Sequence, residues 1–242
     1  MARRIGFWGR FAAVVVKPVL LLWTQRTWRG MEHVPRSGPV IIVANHISHA
    51  DPLVCAHFVY EAGRWPQFLA KASLFRVPVL GWLLHKVKQI PVERGSVDAA
   101  RSLEVMSAAL RDNGTIIIYP EGTITREPNL WPMRGKTGAA RLALATGAPI
   151  IPVVMWGPQN MFDARRAKLR LRPRIPVTVV AGPPIDMSRW SGVTLTKAVL
   201  GEVTDEIMLR LRDMLAEIRG ETPPPLWNRP TQQPVAESGA GA

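Results

Sequence analysis

Four short apolar runs, "PVIIVAN", "TIIIYP", "PIIPVVMW" and "IPVTVVAG", recur along the 242-residue chain with helical patterns between them. Each reads as a strand, and strands alternating with helices leave few solutions. The expected fold is α/β, a single domain whose largely parallel central sheet is flanked by helices. "DPLVCAHFVYEAG" reads as a helix with Asp51 at its N-cap, Pro52 at the first position and Gly63 at its end. In "SVDAARSLEVMSAALRDNG", Ala99, Leu103, Met106 and Leu110 fall on one helical face, and Gly114 follows the end. "GKTGAARLALATG" is a small-residue helix, and a last helix covers roughly Leu195 to Arg219. "QFLAKASL" and "VKQIPVE" are strand-like pieces around "FRVPVLGWLL". No internal repeat is evident.

This pattern divides the chain into three segments. Residues 34–220 carry the α/β domain. Residues 221–242, rich in Pro and ending "ESGAGA", are expected to be disordered. Residues 1–33 are expected to form an amphipathic, membrane-associating helical segment. Its apolar run, Phe11 to Trp23, is broken by Lys17 and Pro18, lacks an Ala-x-Ala exit, and is shorter than the ~20 residues that span a bilayer. Trp8, Arg10, Trp23, Arg26, Trp28 and Arg29 flank it, as in an element lying among lipid headgroups. The placement expected on these grounds is peripheral or monotopic, at the cytoplasmic face of the cell membrane. The one cysteine, Cys55, excludes an intrachain disulfide and fits a reducing compartment.

Lys and Arg number 31 against 18 Asp and Glu, a formal charge of +13. That balance favours a polyanionic partner: nucleic acid, an anionic membrane surface or phosphorylated substrates. Against nucleic acid stand the aromatic content of 7%, largely tryptophans in apolar context, and the lack of a binding motif. The run "RRAKLRLRPR", Arg165 to Arg174, holds six cations and no acid, with Leu169 and Leu171 alternating with Lys168, Arg170 and Arg172. It is a solvated face or a contact for anionic lipid or thioester phosphates. "LFRVPVLGWLLHKVK", Leu74 to Lys88, is core or a further stretch of membrane face.

Ligands of an α/β sheet collect where strands end and loops begin. Two such ends carry polar clusters. In "NHISHAD", after "VIIVA", His46 is placed to act as a base and Asp51 to orient it. A carboxylate on the second ring nitrogen fixes the tautomer and steadies the imidazolium. Capping by Asp51 competes with that role without excluding it. His49 reads as a loop residue. His46, His49, Asp51, Cys55 and His57 match no familiar metal-ligand spacing, so no metal is expected. With no G-x-S-x-G elbow and the cysteine inside a helix, no protein nucleophile is apparent, and the activated hydroxyl belongs to the substrate. The second cluster is "PEGTITRE", after "TIIIY". Glu121, Gly122 and Thr123 make a tight polar turn with Arg126 close by. Arg94 ends "IPVERG" before a helix whose N-terminal amides add to its charge, an arrangement that suits an anion.

The string "NHISHAD" resembles the H-x4-D block of the glycerolipid acyltransferases, the lysophosphatidic acid acyltransferase family. "IPVERG" is similar to that family's arginine block, "YPEGT" to its Pro-Glu-Gly-Thr block and "IIPVVMWG" to its late Ile-Pro-Val strand. The resemblance runs from about Gly38 to Gly157. It implies acyl transfer from a thioester, acyl-CoA or acyl carrier protein, to the free hydroxyl of 1-acylglycerol-3-phosphate, giving phosphatidic acid. His46 is then the general base and Asp51 its partner, with Arg94, Glu121, Gly122 and Thr123 around the acceptor phosphate. The thioester is a co-substrate and no cofactor is implied. Departures from the pattern are Ile124 where an arginine often follows Glu-Gly-Thr, the arginine here coming later at Arg126, and Glu93 where Asp usually precedes the arginine. A glycine common shortly before that block is replaced in "HKVKQIPVER". Another lysophospholipid or a glycolipid as acceptor is the neighbouring alternative.

Overall fold

The structure, a computed structural model, describes residues 6–92 and 98–228. Its elements begin with α1 (Phe7–Trp23), β1 (Thr24–Arg29), β2 (Val40–Ala44), α2 (Asp51–Glu61), β3 (Pro66–Lys71), α3 (Leu80–Lys86) and β4 (Ile90–Val92). They continue with α4 (Asp98–Arg111), β5 (Thr115–Ile118), α5 (Gly138–Thr146), β6 (Ile150–Trp156), β7 (Phe162–Asp163), β8 (Lys168–Leu169), β9 (Ile175–Ala181) and α6 (Lys197–Arg219). Seven strands form one sheet in the order β1-β9-β6-β2-β5-β3-β4, and β7 and β8 pair as a separate hairpin. In the seven-stranded sheet β6 and β9 pair antiparallel and the other pairings are parallel; β7 and β8 pair antiparallel. The α/β architecture expected from the alternating runs is the one observed.

Burial on both faces of the sheet explains why those runs lack a polar alternate. In β2, Ile41 and Val43 pack toward α4, α5 and α6, while Val40, Ile42 and Ala44 pack toward α1 and α2. β5 divides the same way at Ile116 and Ile117, and β6 at Val154 and Met155. A strand covered on both sides has no solvent-facing position, so its sequence is continuously apolar. α6 covers one face with Leu200, Val203, Ile207, Leu211 and Leu215, spaced three or four residues apart. Thr196 caps its start by accepting from the Val199 amide at 3.2 Å, and Gly220 ends it at φ +64°.

Two boundaries differ from the sequence reading. Within the helical segment expected over residues 1–33, Phe7–Trp23 is the helix α1, Thr24–Arg29 is the edge strand β1 of the sheet, and Met31–His33 makes a single 3-10 turn. The period-2 burial of "TQRTWR" decides this, and Arg26 and Trp28, expected at a lipid interface, instead reach Glu61 of α2. The Pro-rich stretch expected to be disordered from residue 221 is placed against the domain as far as it is described. Trp227 bridges Met133, and its carbonyl accepts from the Arg134 amide at 3.1 Å. Residues 229–242 lie outside the described residues, as do 1–5 and 93–97.

Candidate active site

β2 is the central strand of the sheet, and the chain leaves it through Asn45. The Asn45 side-chain amide donates to the Met155 carbonyl at 3.0 Å and accepts from the Met155 amide at 2.8 Å. That two-way pairing with β6 fixes where the next loop starts. His46 follows, with its Nδ1 2.8 Å from Asp51 Oδ2. The same oxygen accepts from the amides of Ile47 at 2.6 Å and Ser48 at 2.8 Å. Asp51 is the first residue of α2 rather than its N-cap, and its carboxylate turns back to collect the loop amides. Sequence spacing suggested a cap; the donors it satisfies belong to the loop, which a five-residue turn brings within reach. Complete burial pushes the Asp51 carboxyl upward, and the three donors on Oδ2 oppose that shift by favouring the ionised form. With Nδ1 committed to Asp51, Nε2 is the ring nitrogen left for a substrate.

The imidazole is held from a second direction. Tyr119, just past β5, stacks on it with ring centroids 4.3 Å apart and planes 22° from parallel. Phe68 of β3 lies beyond Tyr119, so the stack ties the loop to two neighbouring strands. Among the described residues, the buried Tyr119 hydroxyl has no hydrogen-bond partner, and neither has Asp51 Oδ1.

Glu121 closes the far side. Its Oε1 accepts from the His46 amide at 3.3 Å and Oε2 from the Met133 amide at 3.1 Å, while the Thr125 amide donates to the His46 carbonyl at 2.7 Å. The loops after β2 and β5 are therefore stitched together around His46. Burial pushes the Glu121 carboxyl up to about 8, against the pull of its backbone donors. Gly122 turns the chain at φ +68°, in the left-handed region that favours glycine, and a Cβ there would sit 3.0 Å from Lys136 Nζ. The missing side chain is what lets the Lys136 ammonium lie over this turn.

These loops open into a cavity of about 1450 Å³. Its walls are mainly apolar: Val16 and Leu20 of α1, Phe68 and Leu69 of β3, Leu84 of α3 and Met106 of α4 are among them. His46, Gly122 and Thr123 line it together with two cations, Lys136 and Arg165. Arg165 donates to the carbonyls of Pro128 (2.7 Å) and Glu127.

The structure thus brings together His46, Asp51, Glu121, Gly122 and Thr123. Arg126 is exposed and is not part of the cavity wall, and its amide meets Met133 Sδ at 3.2 Å. Arg94 lies outside the described residues. Sequence reasoning missed Lys136 and Tyr119, and placed Arg165 only in a basic run. The available signal for Lys136 was its position in "RGKTG", a glycine-flanked turn directly before a helix. His49, read as a loop residue, edges the cavity and packs against Phe162. Leu74 to Lys88 serves in two ways: Leu74, Leu84 and Val87 line the cavity, while Val79 and Trp82 are exposed.

The α/β domain sets a histidine–carboxylate pair at the wall of a large, mainly apolar cavity, and comparison with known proteins gives the family. Residues 25–156, more than half of the chain, match the Acyltransferase family, and the chain belongs to that family. The chain is 36% identical over 134 residues to 1-acyl-sn-glycerol-3-phosphate acyltransferase of Borreliella burgdorferi, covering 55% of this chain and 52% of that protein. It is 30% identical over 155 residues to the enzyme of that name from Salmonella typhimurium, covering 63% of this chain and 59% of the relative. The match to the Limnanthes douglasii enzyme is 30% over 167 residues, covering 67% of this chain and 55% of the relative. The chain spans about half the length of these relatives. The crystal structure of the 1-acyl-sn-glycerophosphate acyltransferase PlsC from Thermotoga maritima has the same fold, with a TM-score of 0.61 at 22% identity over 91% of this chain and 85% of that one.

Proposed function

We propose that the protein transfers a fatty acyl group from a thioester to the free hydroxyl of 1-acylglycerol-3-phosphate, forming phosphatidic acid. The observation that carries this reading is the 2.8 Å contact between His46 Nδ1 and Asp51 Oδ2 at the wall of a large apolar cavity. The reading also draws on the names of the curated relatives.

In this mechanism His46 Nε2 takes the proton of the acceptor hydroxyl while Asp51 stabilises the imidazolium. The oxygen attacks the thioester carbonyl, and the tetrahedral intermediate collapses by breaking its C–S bond. The departing thiolate takes the proton back from His46, leaving the imidazole ready for another cycle. None of these steps calls on a metal or cofactor. Lys136 and Arg165, beside Gly122 and Thr123, supply positive charge for the acceptor phosphate, and the apolar walls take an acyl chain. Acyl-CoA and acyl carrier protein both fit the donor role.

No helix among the described residues is long and apolar enough to cross a membrane. Phe7, Phe11, Val14, Val19 and Leu22 of α1 are exposed, and this face contacts the membrane in the proposed arrangement.

The test is phosphatidate formation from 1-acylglycerol-3-phosphate and acyl-CoA, or acyl carrier protein thioester, comparing wild type with His46→Ala. The expected loss in kcat is about 10²–10⁴-fold in a variant that keeps its melting temperature. Equal turnover by both proteins rules out His46 as the base.

A further inference from the structure

The segment from β8 to β9, residues 168–174, carries cations beyond those at the cavity. An Asx turn builds the tip of the β7–β8 hairpin, with Asp163 Oδ1 accepting from the amides of Arg165 (3.1 Å) and Arg166 (3.2 Å). Asp163 also faces Arg166 at 3.9 Å, and Arg165 is held by the loop after β5. Beyond them Lys168, Arg170, Arg172 and Arg174 are all exposed, and among the described residues their side chains form no ion pair. Leu169 and Leu171 stand between these cations, and Leu171 is 76% exposed.

The position of this strip gives it meaning. Trp23 Nε1 donates to the Arg170 carbonyl at 2.9 Å, and the Arg174 amide donates to the Leu22 carbonyl at 3.2 Å. The strip is thereby fastened to the C-terminal end of α1, where Leu22 is 75% exposed. Its other end reaches the cavity, whose lining includes Ala164 and Arg165. The chain from Ala164 to Arg174 therefore leads from the cavity lining, past alternating leucines and cations, to the exposed end of α1.

We propose that residues 168–174 form a docking surface for anionic membrane lipid, joined to the α1 face and setting the cavity rim at the headgroup level. A soluble polyphosphate calls for a concave site in which several donors converge. This strip is open, its cations form no ion pair among the described residues, and its exposed leucines suit a surface that is charged at the headgroups and apolar just beneath. The benefit of such docking to turnover rests on the lysophosphatidate reading; the docking itself does not.

The experiment is sedimentation with vesicles of phosphatidylcholine alone or of phosphatidylcholine mixed with the anionic lipid phosphatidylglycerol. It compares wild type, the triple variant Lys168→Gln/Arg170→Gln/Arg172→Gln, and a charge-matched control. The control, Arg111→Gln/Arg141→Gln/Arg210→Gln, removes exposed cations from α4, α5 and α6 on the opposite face of the sheet. Each cation at an anionic surface strengthens binding about fivefold, so the strip variant loses on the order of 100-fold on anionic vesicles and the control only a small part of that. The difference shrinks as salt rises. Activity of the strip variant in neutral detergent micelles stays within about twofold of wild type, since residues lining the cavity are untouched. Wild-type affinity of the strip variant for anionic vesicles, or equal losses in variant and control, overturns the proposal. So does retained vesicle binding with a raised KM for the thioester alone, which assigns the strip to the donor. If wild type makes no phosphatidate in micelles yet docks through the strip, the lysophosphatidate reading fails and the docking surface stands.

Discussion

The cavity has a wall and a roof, and the carboxylates that hold them differ in kind. On the wall, Asp51 and Glu121 are buried, and backbone amides from the loops supply most of their donors. At the roof, the partly exposed Glu61 takes three side-chain cations or polar groups on Oε1: Lys17 of α1 at 3.0 Å, Arg26 of β1 at 3.0 Å and His57 at 3.1 Å. Its Oε2 accepts from Trp28 Nε1 at 2.7 Å. Their titration diverges accordingly. Burial pushes Glu121 up to about 8. For Glu61 burial also acts upward, but the hydrogen bonds from Lys17 and Trp28 and the charges of His57 and Lys17 prevail and bring it to about 2. Amide donors orient a carboxylate without neutralising it, whereas cations make it a firm anion. The wall uses the first arrangement to set a histidine; the roof uses the second to fasten one helix to the domain.

The largest way to break this contrast is at Asp51. Asp51→Asn keeps one acceptor for the loop amides and removes the charge that steadies imidazolium. The expected result is a kcat at least about 100-fold lower, with a smaller change in thermal melting, read by phosphatidate formation and calorimetry on one preparation. A kcat within a few-fold of wild type would leave Asp51 with only the loop to organise.

Glu121 comes next. Its folded-state value of about 8 exceeds the ordinary 4.5, so the folded protein holds more protons than the unfolded chain between those limits. This contribution to stability is present below pH 4.5, declines as pH rises through that window and is lost above about 8. The span corresponds to several kcal/mol as an order of magnitude. Unfolding by urea from pH 5 to 8 is expected to show that decline in wild type and a flatter profile in Glu121→Gln. An unchanged slope would mean that Glu121 does not titrate there.

Glu61 carries the opposite sign. Its depressed value adds stability above pH 4.5 that is lost as pH falls toward 2. Because the group is partly exposed, solvent screening holds the effect of Glu61→Gln to about 1 kcal/mol at neutral pH, and less at pH 3. The variant should also loosen α1, seen as faster amide exchange from Ala12 to Leu20 with little change around His46. Equal protection of α1 in both proteins would shift the anchoring of the roof to apolar packing. The smallest effect is at Arg126, which shares a loop with Glu121 but is not part of the cavity wall. Arg126→Gln should leave KM for lysophosphatidate within about twofold, while Lys136→Gln raises it tenfold or more, as the loss of a charge-assisted hydrogen bond does.

Much of this site was legible in the linear order. His46 and Asp51 were readable as a pair because both follow a strand end, and Glu121, Gly122 and Thr123 because they follow another. Lys136 was hard to see: its ammonium lies over the turn at Gly122, fourteen positions away in the chain, through a vacancy where that glycine has no side chain. Arg126 misled for the complementary reason. Its neighbourhood to Glu121 in sequence says nothing about direction, and the turn that brings the Thr125 amide to His46 leaves Arg126 exposed. β1 was taken for part of the N-terminal helical segment because tryptophans and arginines beside an apolar run suit a headgroup zone. The partners that place Arg26 and Trp28 inside, on Glu61, come from α2, more than thirty residues later.

The sequence by itself determined the layering and the chemistry of the central loop. Continuously apolar strands demand cover on both faces, and period-3.6 helices provide it, so an α/β sheet follows from local patterns summed along the chain. Which cations face the cavity, which carboxylate stays protonated near neutral pH and where the roof is fastened were decided by tertiary structure alone. Those properties depend on burial and on donors from distant segments, and neither is a property of neighbours in the chain.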